Sequence, residues 1–274
     1  MTTRLSEKDF DKGPAIGGVT MHRIGLFSGK TENNNAWATM TLSKPLSEAA
    51  QCCLEACFYT AAKMAVTKNG EIVLYVDYYK LDKLLEWNRH YSKIDDALDQ
   101  LQTTLITIGK HVKKDDGTDL KIMTTQAIIS QMTKIEGVVP TKISTGLSRL
   151  REIKRVKVVL SKAFIKMLET DVTMHYLSLV PTLLALKHKE ARALARFCLT
   201  HSGNQTINSK LILEIWGEQP GSRMARRRIT KLAEDAAGLE LLGISWQPAT
   251  KVAQYTRPPH GILFTRPSGP ICEA

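Results

Sequence analysis

Apolar positions from residue 37 onward switch repeatedly between a period of two and a period near 3.6, and each switch marks an expected element. Residues 37–42 alternate as a strand. Ser47 is placed to cap a helix running to about Val66, Asn69-Gly70 turns the chain, and residues 71–76 read as a second strand. Asp77 caps a short helix through Trp87, and Ser92, with Asp95 three residues on, caps another ending near Thr104. Residues 105–110 and 119–124 are β-like, and the Asp115-Asp116-Gly117 turn joins them as a hairpin. This order, a helix, a strand, two helices and a hairpin, is that of a helix-turn-helix followed by a wing.

Gly137, Pro140 and Gly146 interrupt the pattern, which resumes with a strand over 156–160 and a helix after Ser161 holding Phe164, Ile165 and Leu168. The order then repeats. A helix over about 187–201, a short strand near 205–207, a helix over 209–216, a second helix capped by Ser222, and strands over 239–246 and 262–266 follow. Trp87 and Trp216 each close the first helix of a pair, with Ser92 and Ser222 beginning the second, so two copies of one architecture are expected. The fold class is therefore α+β, predominantly helical, with two tandem winged-helix domains. Residues 37–175 form the first, residues 176–274 the second, and the glycine-rich residues 1–36 a mobile arm.

Composition narrows the partner. The chain has 274 residues, 43% of them hydrophobic, and a formal charge of +11, which calls for an anionic partner. Its longest apolar stretch, residues 176–186, is too short for a bilayer and contains Pro181, and no signal-peptide core follows Arg4. Double-stranded DNA is favoured over membrane, in a cytoplasmic protein. The five cysteines, at 52, 53, 57, 198 and 272, make no disulfide framework and no metal-ligand spacing; they read as core residues. No cofactor is expected. The GLFSGKT sequence at 25–31 has its first glycine one residue too close to Lys30 for a phosphate loop. No nucleophile elbow, metal cluster or His-apolar-His pair with a nearby tyrosine appears, so no catalytic activity is expected.

The charge concentrates on the helix after Ser222. Arg223, Arg226, Arg227, Arg228 and Lys231 precede the first acid, Glu234. At 100° per residue, Ala225, Ile229, Leu232 and Ala236 make a buried stripe, with Arg227 and Lys231 opposite it, Arg223 and Thr230 beside them, and Arg226 and Arg228 flanking. Such a helix presents guanidinium forks to phosphates and guanine edges. The corresponding helix of the first half carries Asp95, Asp96 and Asp99 beside Lys93, so the main DNA contact is assigned to the second half. Arg89, Lys93 and His90 are weaker backbone candidates. On the wings the candidates are Lys110, His111, Lys113 and Lys114 in the first half, and Lys251, Arg257 and His260 in the second. The basic run Arg149, Arg151, Lys154, Arg155 and Lys157 could also touch phosphate.

The segments LSEAAQCCLEACFYTAAKMA, IVLYVDYYKLDKLLEWN and YSKIDDALDQLQTTLITI, then VKVVLSKAFIKML and KHKEARALARFCLTH, resemble the plasmid replication initiators that bind repeated origin sequences, the RepE, RepA and TrfA-like group. The resemblance covers roughly residues 37–267. It departs at Arg192-Ala193-Leu194-Ala195, where that family commonly shows Arg-apolar-Tyr-Glu. It implies monomers that bind direct repeats (iterons) at an origin and help open the duplex. It also implies homodimers, paired through the first domain, that repress their own promoter at an inverted-repeat operator, and host replication proteins such as helicase and initiator as partners. Residues 23–27, RIGLF, resemble the peptides that dock on the bacterial sliding clamp but lack their glutamine. A tandem winged-helix repressor without an initiation role and a rolling-circle nicking enzyme are the alternatives.

Overall fold

A computed structural model of the chain describes residues 3–4, 32–34, 39–61, 63–66, 71–113, 119–142, 148–162, 173–174, 177–199, 204–216, 221–256 and 264–265. The sequences at 23–27 and 25–31, the helix after Ser161, Lys114, Arg257 and His260 lie outside the described residues. The first half contains β1 (Thr3–Arg4), β2 (Glu32–Asn34), β3 (Thr39–Leu42), α1 (Glu48–Thr60), β4 (Lys63–Val66) and β5 (Ile72–Asp77). It continues with α2 (Tyr78–Leu85), α3 (Tyr91–Thr103), β6 (Leu105–Lys113), β7 (Asp119–Ala127), β8 (Ile129–Lys142) and β9 (Ser148–Leu160). After β10 (Thr173–Met174) and a 3-10 turn (Leu177–Leu179) come α4 (Val180–Leu184), α5 (Lys189–Leu199), β11 (Gln205–Ile207), α6 (Ser209–Ile215) and α7 (Arg223–Lys231). A second 3-10 turn (Leu232–Asp235), α8 (Ala236–Leu241), β12 (Ile244–Gln247), β13 (Val252–Tyr255) and β14 (Phe264–Thr265) complete the described chain.

Several expected boundaries hold for the reasons given. The Ser47 hydroxyl accepts from the Ala50 amide and Asp77 from the Tyr79 amide, so α1 and α2 begin where a side-chain oxygen satisfies an orphan donor. Other boundaries moved. Helix α1 stops at Thr60 rather than near Val66, because Lys63–Val66 pairs antiparallel with β5. Ser92 is not a cap: α3 starts at Tyr91, its N-cap residue is His90, and no side chain bonds the helix end. Gly137 and Pro140 interrupt nothing, since both lie within β8, which pairs with β9 from Ile129 to Lys142. β8 is an edge strand, where a proline costs no ladder bond to a further neighbour. The expected strand over 239–246 is helix to Leu241 and strand only from Ile244, the switch being made at Gly243 with φ of 77°. Within the expected arm, β1 and β2 pair with β4 and β3.

Among the described residues helix does not predominate. β8 and β9, of 14 and 13 residues, are as long as the two longest described helices, of 13 each, and the described fold is a mixture of helix and strand. The described strands form sheets ordered β1-β4-β5-β9-β8, β2-β3-β6-β7, β11-β13-β12 and β10-β14. The last pairing corrects the expected second wing: its hairpin is β12 with β13, a strand not foreseen, while β14 joins β10.

Among the described residues two apolar cores result. One gathers Leu54, Phe58, Leu74, Tyr78, Leu81, Leu98 and Val158; the other gathers Leu194, Leu199, Ile212, Trp216, Ile229, Leu239 and Tyr255. Leu84 and Leu184 pack against both. Between the cores, α1 faces α5 through charge: Arg196 donates to both Glu55 oxygens at 2.8 Å, and Arg192 Nε to Glu48 at 2.6 Å. The Arg196 and Glu55 side chains are each only 1% exposed. Burial alone would lower the Arg196 pKa, but the Glu55 and Glu48 carboxylates outweigh it and hold the guanidinium charged. Beside them, burial pushes the Cys52 thiol up to about 12, which leaves no thiolate for chemistry. The described cysteines 52, 53, 57 and 198 are all buried.

In α8, a Cβ added to Gly238 would lie 2.6 Å from Leu186 Cδ2, and Leu186 is itself buried. Gly238→Ala is therefore expected to lower stability by about 1–3 kcal/mol despite alanine's better helix propensity. A urea midpoint equal to or above the parent's would show that this contact relaxes freely.

Candidate nucleic-acid interface

Gly221, at φ of 89°, and Ser222 set the start of α7; the Ser222 hydroxyl accepts from the Ala225 amide at 2.9 Å. Ala225, Ile229 and Leu232 are buried as the stripe requires, whereas Ala236 is only half-buried. The helix in front, α6, is fixed by Trp216, whose indole N–H donates to the Glu190 carbonyl at 3.1 Å. On this base Arg223, Arg226, Arg227 and Thr230 stand exposed and Lys231 half-buried. The Thr230 hydroxyl donates to the Arg226 carbonyl at 3.0 Å, leaving its oxygen free to accept. Met224, 53% exposed beside these cations, was not singled out from the sequence. Its helical angle, between Lys231 and Arg228, was the available signal.

Arg228 differs from its neighbours. Its Nε lies 3.6 Å from Glu190 Oε1, a carboxylate with 4% side-chain exposure on α5. The pair ties α7 to the body of the second half, so this arginine is engaged before any ligand arrives.

The β12–β13 hairpin stands after the helix pair, with Lys251 exposed in its turn at φ of 53°. In the first half, the turn between α2 and α3 holds Glu86, Asn88 and Arg89 at φ of 53°, 55° and 64°. Buried Asp82 stabilises this turn by accepting the Arg89 amide at 2.8 Å. Arg89, His90 and Lys93 are exposed there, and the Lys93 ammonium lies 4.5 Å from the Trp87 ring centroid. Along β6, Lys110, His111 and Lys113 pair with Ile122, Lys121 and Asp119.

The acidity of α3 is partly neutralised. Asp95 accepts from Lys134 at 2.7 Å, Lys154 at 3.1 Å and the Tyr78 hydroxyl at 2.7 Å. Burial works to raise its pKa, yet these hydrogen bonds outweigh it and hold the carboxyl below its ordinary value. Asp96 and Asp99 remain exposed, so the helix still presents anions where α7 presents cations.

Among the described residues no group of three or more His, Cys, Asp or Glu could hold a metal ion, and no helix is long and apolar enough to cross a membrane. Solved structures of RctB domains 2 and 3 have a fold similar to that of this chain. A selenomethionine crystal structure of those domains matches at 12% identity, with a TM-score of 0.53, over 81% of this chain and 86% of that one. A second crystal structure of RctB domains 2–3 matches at 12% identity and a TM-score of 0.52, over 86% of this chain and 94% of that one. At that identity the likeness is one of fold. No family model and no curated protein matches the chain.

Proposed function

We propose that the chain is a replication initiator that binds duplex DNA through two winged-helix units, residues 37–175 and 176–274, without catalytic activity of its own. The observation that carries this reading is α7: three arginines exposed on a helix whose opposite stripe is buried, ahead of the β12–β13 hairpin. A helix so mounted suits a major groove, with the hairpin beside it on flanking phosphate. The fold shared with domains 2 and 3 of the initiator RctB supports replication as the setting. Origin direct repeats on a plasmid, repression at an inverted repeat, a monomer–homodimer equilibrium and host replication partners in the cytoplasm belong to the same proposal. Arg223, Arg226, Arg227, Thr230 and Lys231 are its principal contacts, with Lys251, Arg89 and Lys93 as backbone contacts.

The test is the salt dependence of duplex binding. Each neutralised phosphate adds about −0.9 to the slope of log affinity against log salt, so several contacts should give a steep negative slope. Duplexes carrying direct repeats found beside the gene should bind tighter than mixed sequence. A slope near zero on every duplex would remove the reading, and preference for a lone inverted repeat would favour a repressor instead.

A further inference from the structure

We infer that the β8–β9 hairpin is a second DNA-contacting element: a projecting ribbon with one cationic face that lies on duplex phosphates independently of α7. The inference rests on the duplex-binding reading and extends it to a surface outside both helix pairs. At its base, Val156, Val158 and Leu160 are buried in the first core. Farther out the ribbon leaves the body. Every residue from Thr133 to Val138 is exposed, with Ile135 and Val138 49% and 58% exposed.

Side chains alternate across a strand, so the odd positions of β9 share one face. Arg149, Arg151, Ile153, Arg155 and Lys157 occupy it, opposite Thr141, Val139, Gly137, Ile135 and Thr133 of β8. By register, four basic and no acidic residues take these positions of the two strands. The acids of the ribbon, Glu136 and Glu152, are paired in register with Lys154 and Val138 on the other face. That face is internally balanced: Lys154 lies 3.5 Å from Glu136 and 3.1 Å from Asp95, and Lys134 is held by Asp95. At the base of the odd face, Asp77 on β5 lies 3.7 Å from Arg155, whose side chain remains 60% exposed.

Segregation of this kind distinguishes the ribbon from an ordinary solvated basic run, in which both signs are interspersed. Successive odd positions lie about 6.8 Å apart along a strand, and two strands about 4.8 Å apart make a ribbon that a major groove about 12 Å wide admits. A polyanion in regular repeat is the partner that such a row of cations fits. No charged residue of β8 stands in register opposite the row.

The experiment measures binding of the full chain to a long mixed-sequence duplex across a series of salt concentrations, for the parent, R149Q/R151Q and R149K/R151K. Loss of two contacts should make the slope shallower by about 1.8 and lower affinity roughly tenfold per contact near 0.1 M salt. R149K/R151K should keep the parent's slope. T133E, which adds a carboxylate opposite Lys157 at an exposed position, should weaken binding without touching either arginine, and so covers the case in which R149Q/R151Q fails to fold by circular dichroism. If the parent binds while folded R149Q/R151Q or T133E matches it in affinity and slope, the ribbon's role is overturned and the α7 reading stands. If the parent itself binds no duplex, both fall.

Discussion

Arg196→Ala should be among the most damaging single substitutions in the chain, lowering stability by about 3–5 kcal/mol. The change removes the Arg196 guanidinium from Glu55, a carboxylate at 1% side-chain exposure, and so strips away charge compensation where water cannot replace it. Glu48 keeps Arg192 at 2.6 Å, so it is stranded less completely. Removing both charges is a different experiment. In E55L/R196M the buried pair is replaced by apolar groups of similar size, and most of the loss should be recovered, because the desolvation cost of the two ions disappears with their attraction. Urea unfolding of the three variants checks this. Equal losses in R196A and E55L/R196M would show that packing, not the lost charge compensation, sets the cost. The same pair bears on autonomy of the halves. A fragment lacking residues 1–175 would keep Arg192 and Arg196 but lose Glu48 and Glu55, so it is expected to be less stable than the second half within the full chain.

That pair was invisible in the sequence. Glu55 and Arg196 are 141 residues apart, and each reads alone as an ordinary charge on a helix. Only the packing of α1 on α5 brings them together. What was legible is local. Ser47, Asp77 and Ser222 each cap a helix as expected, since capping depends on one side-chain oxygen and the amide two or three residues later. The stripe of α7 was legible through its period. Failures occurred where a partner strand decides. Ala61 to Ala65 carries good helix formers, yet residues 63–66 take up pairing with β5 that no local preference reveals. Pro140 was read as a break because its tolerance depends on β8 being an edge, a property of the whole sheet. The ion pair of Arg228 with Glu190 was likewise not legible, since its helical angle places it on a flank while Glu190 stands on another helix.

Arg223→Ala and Arg227→Ala should each relax preference at a defined guanine while leaving the fold intact. Both side chains are exposed, and both lie away from Ala225, Ile229 and Leu232, so neither supports the core. A bidentate arginine to guanine O6 and N7 contributes ~1–3 kcal/mol of base discrimination, whereas a phosphate contact changes affinity almost uniformly across sequences. Arg228→Ala is expected to behave otherwise. It leaves the Glu190 carboxylate without that partner at 4% exposure, so its first effect should be a lower unfolding midpoint, with base preference retained in the folded fraction. Ile229→Asp, at 8% exposure, should unfold the second half outright, because an unpaired carboxylate enters the stripe that seats the helix. Affinities of the variants across duplexes with single base changes, read beside thermal melts by circular dichroism, separate the three behaviours. If R223A and R227A stay folded and bind every duplex as the parent does, α7 contacts no base edges and its arginines serve the backbone alone.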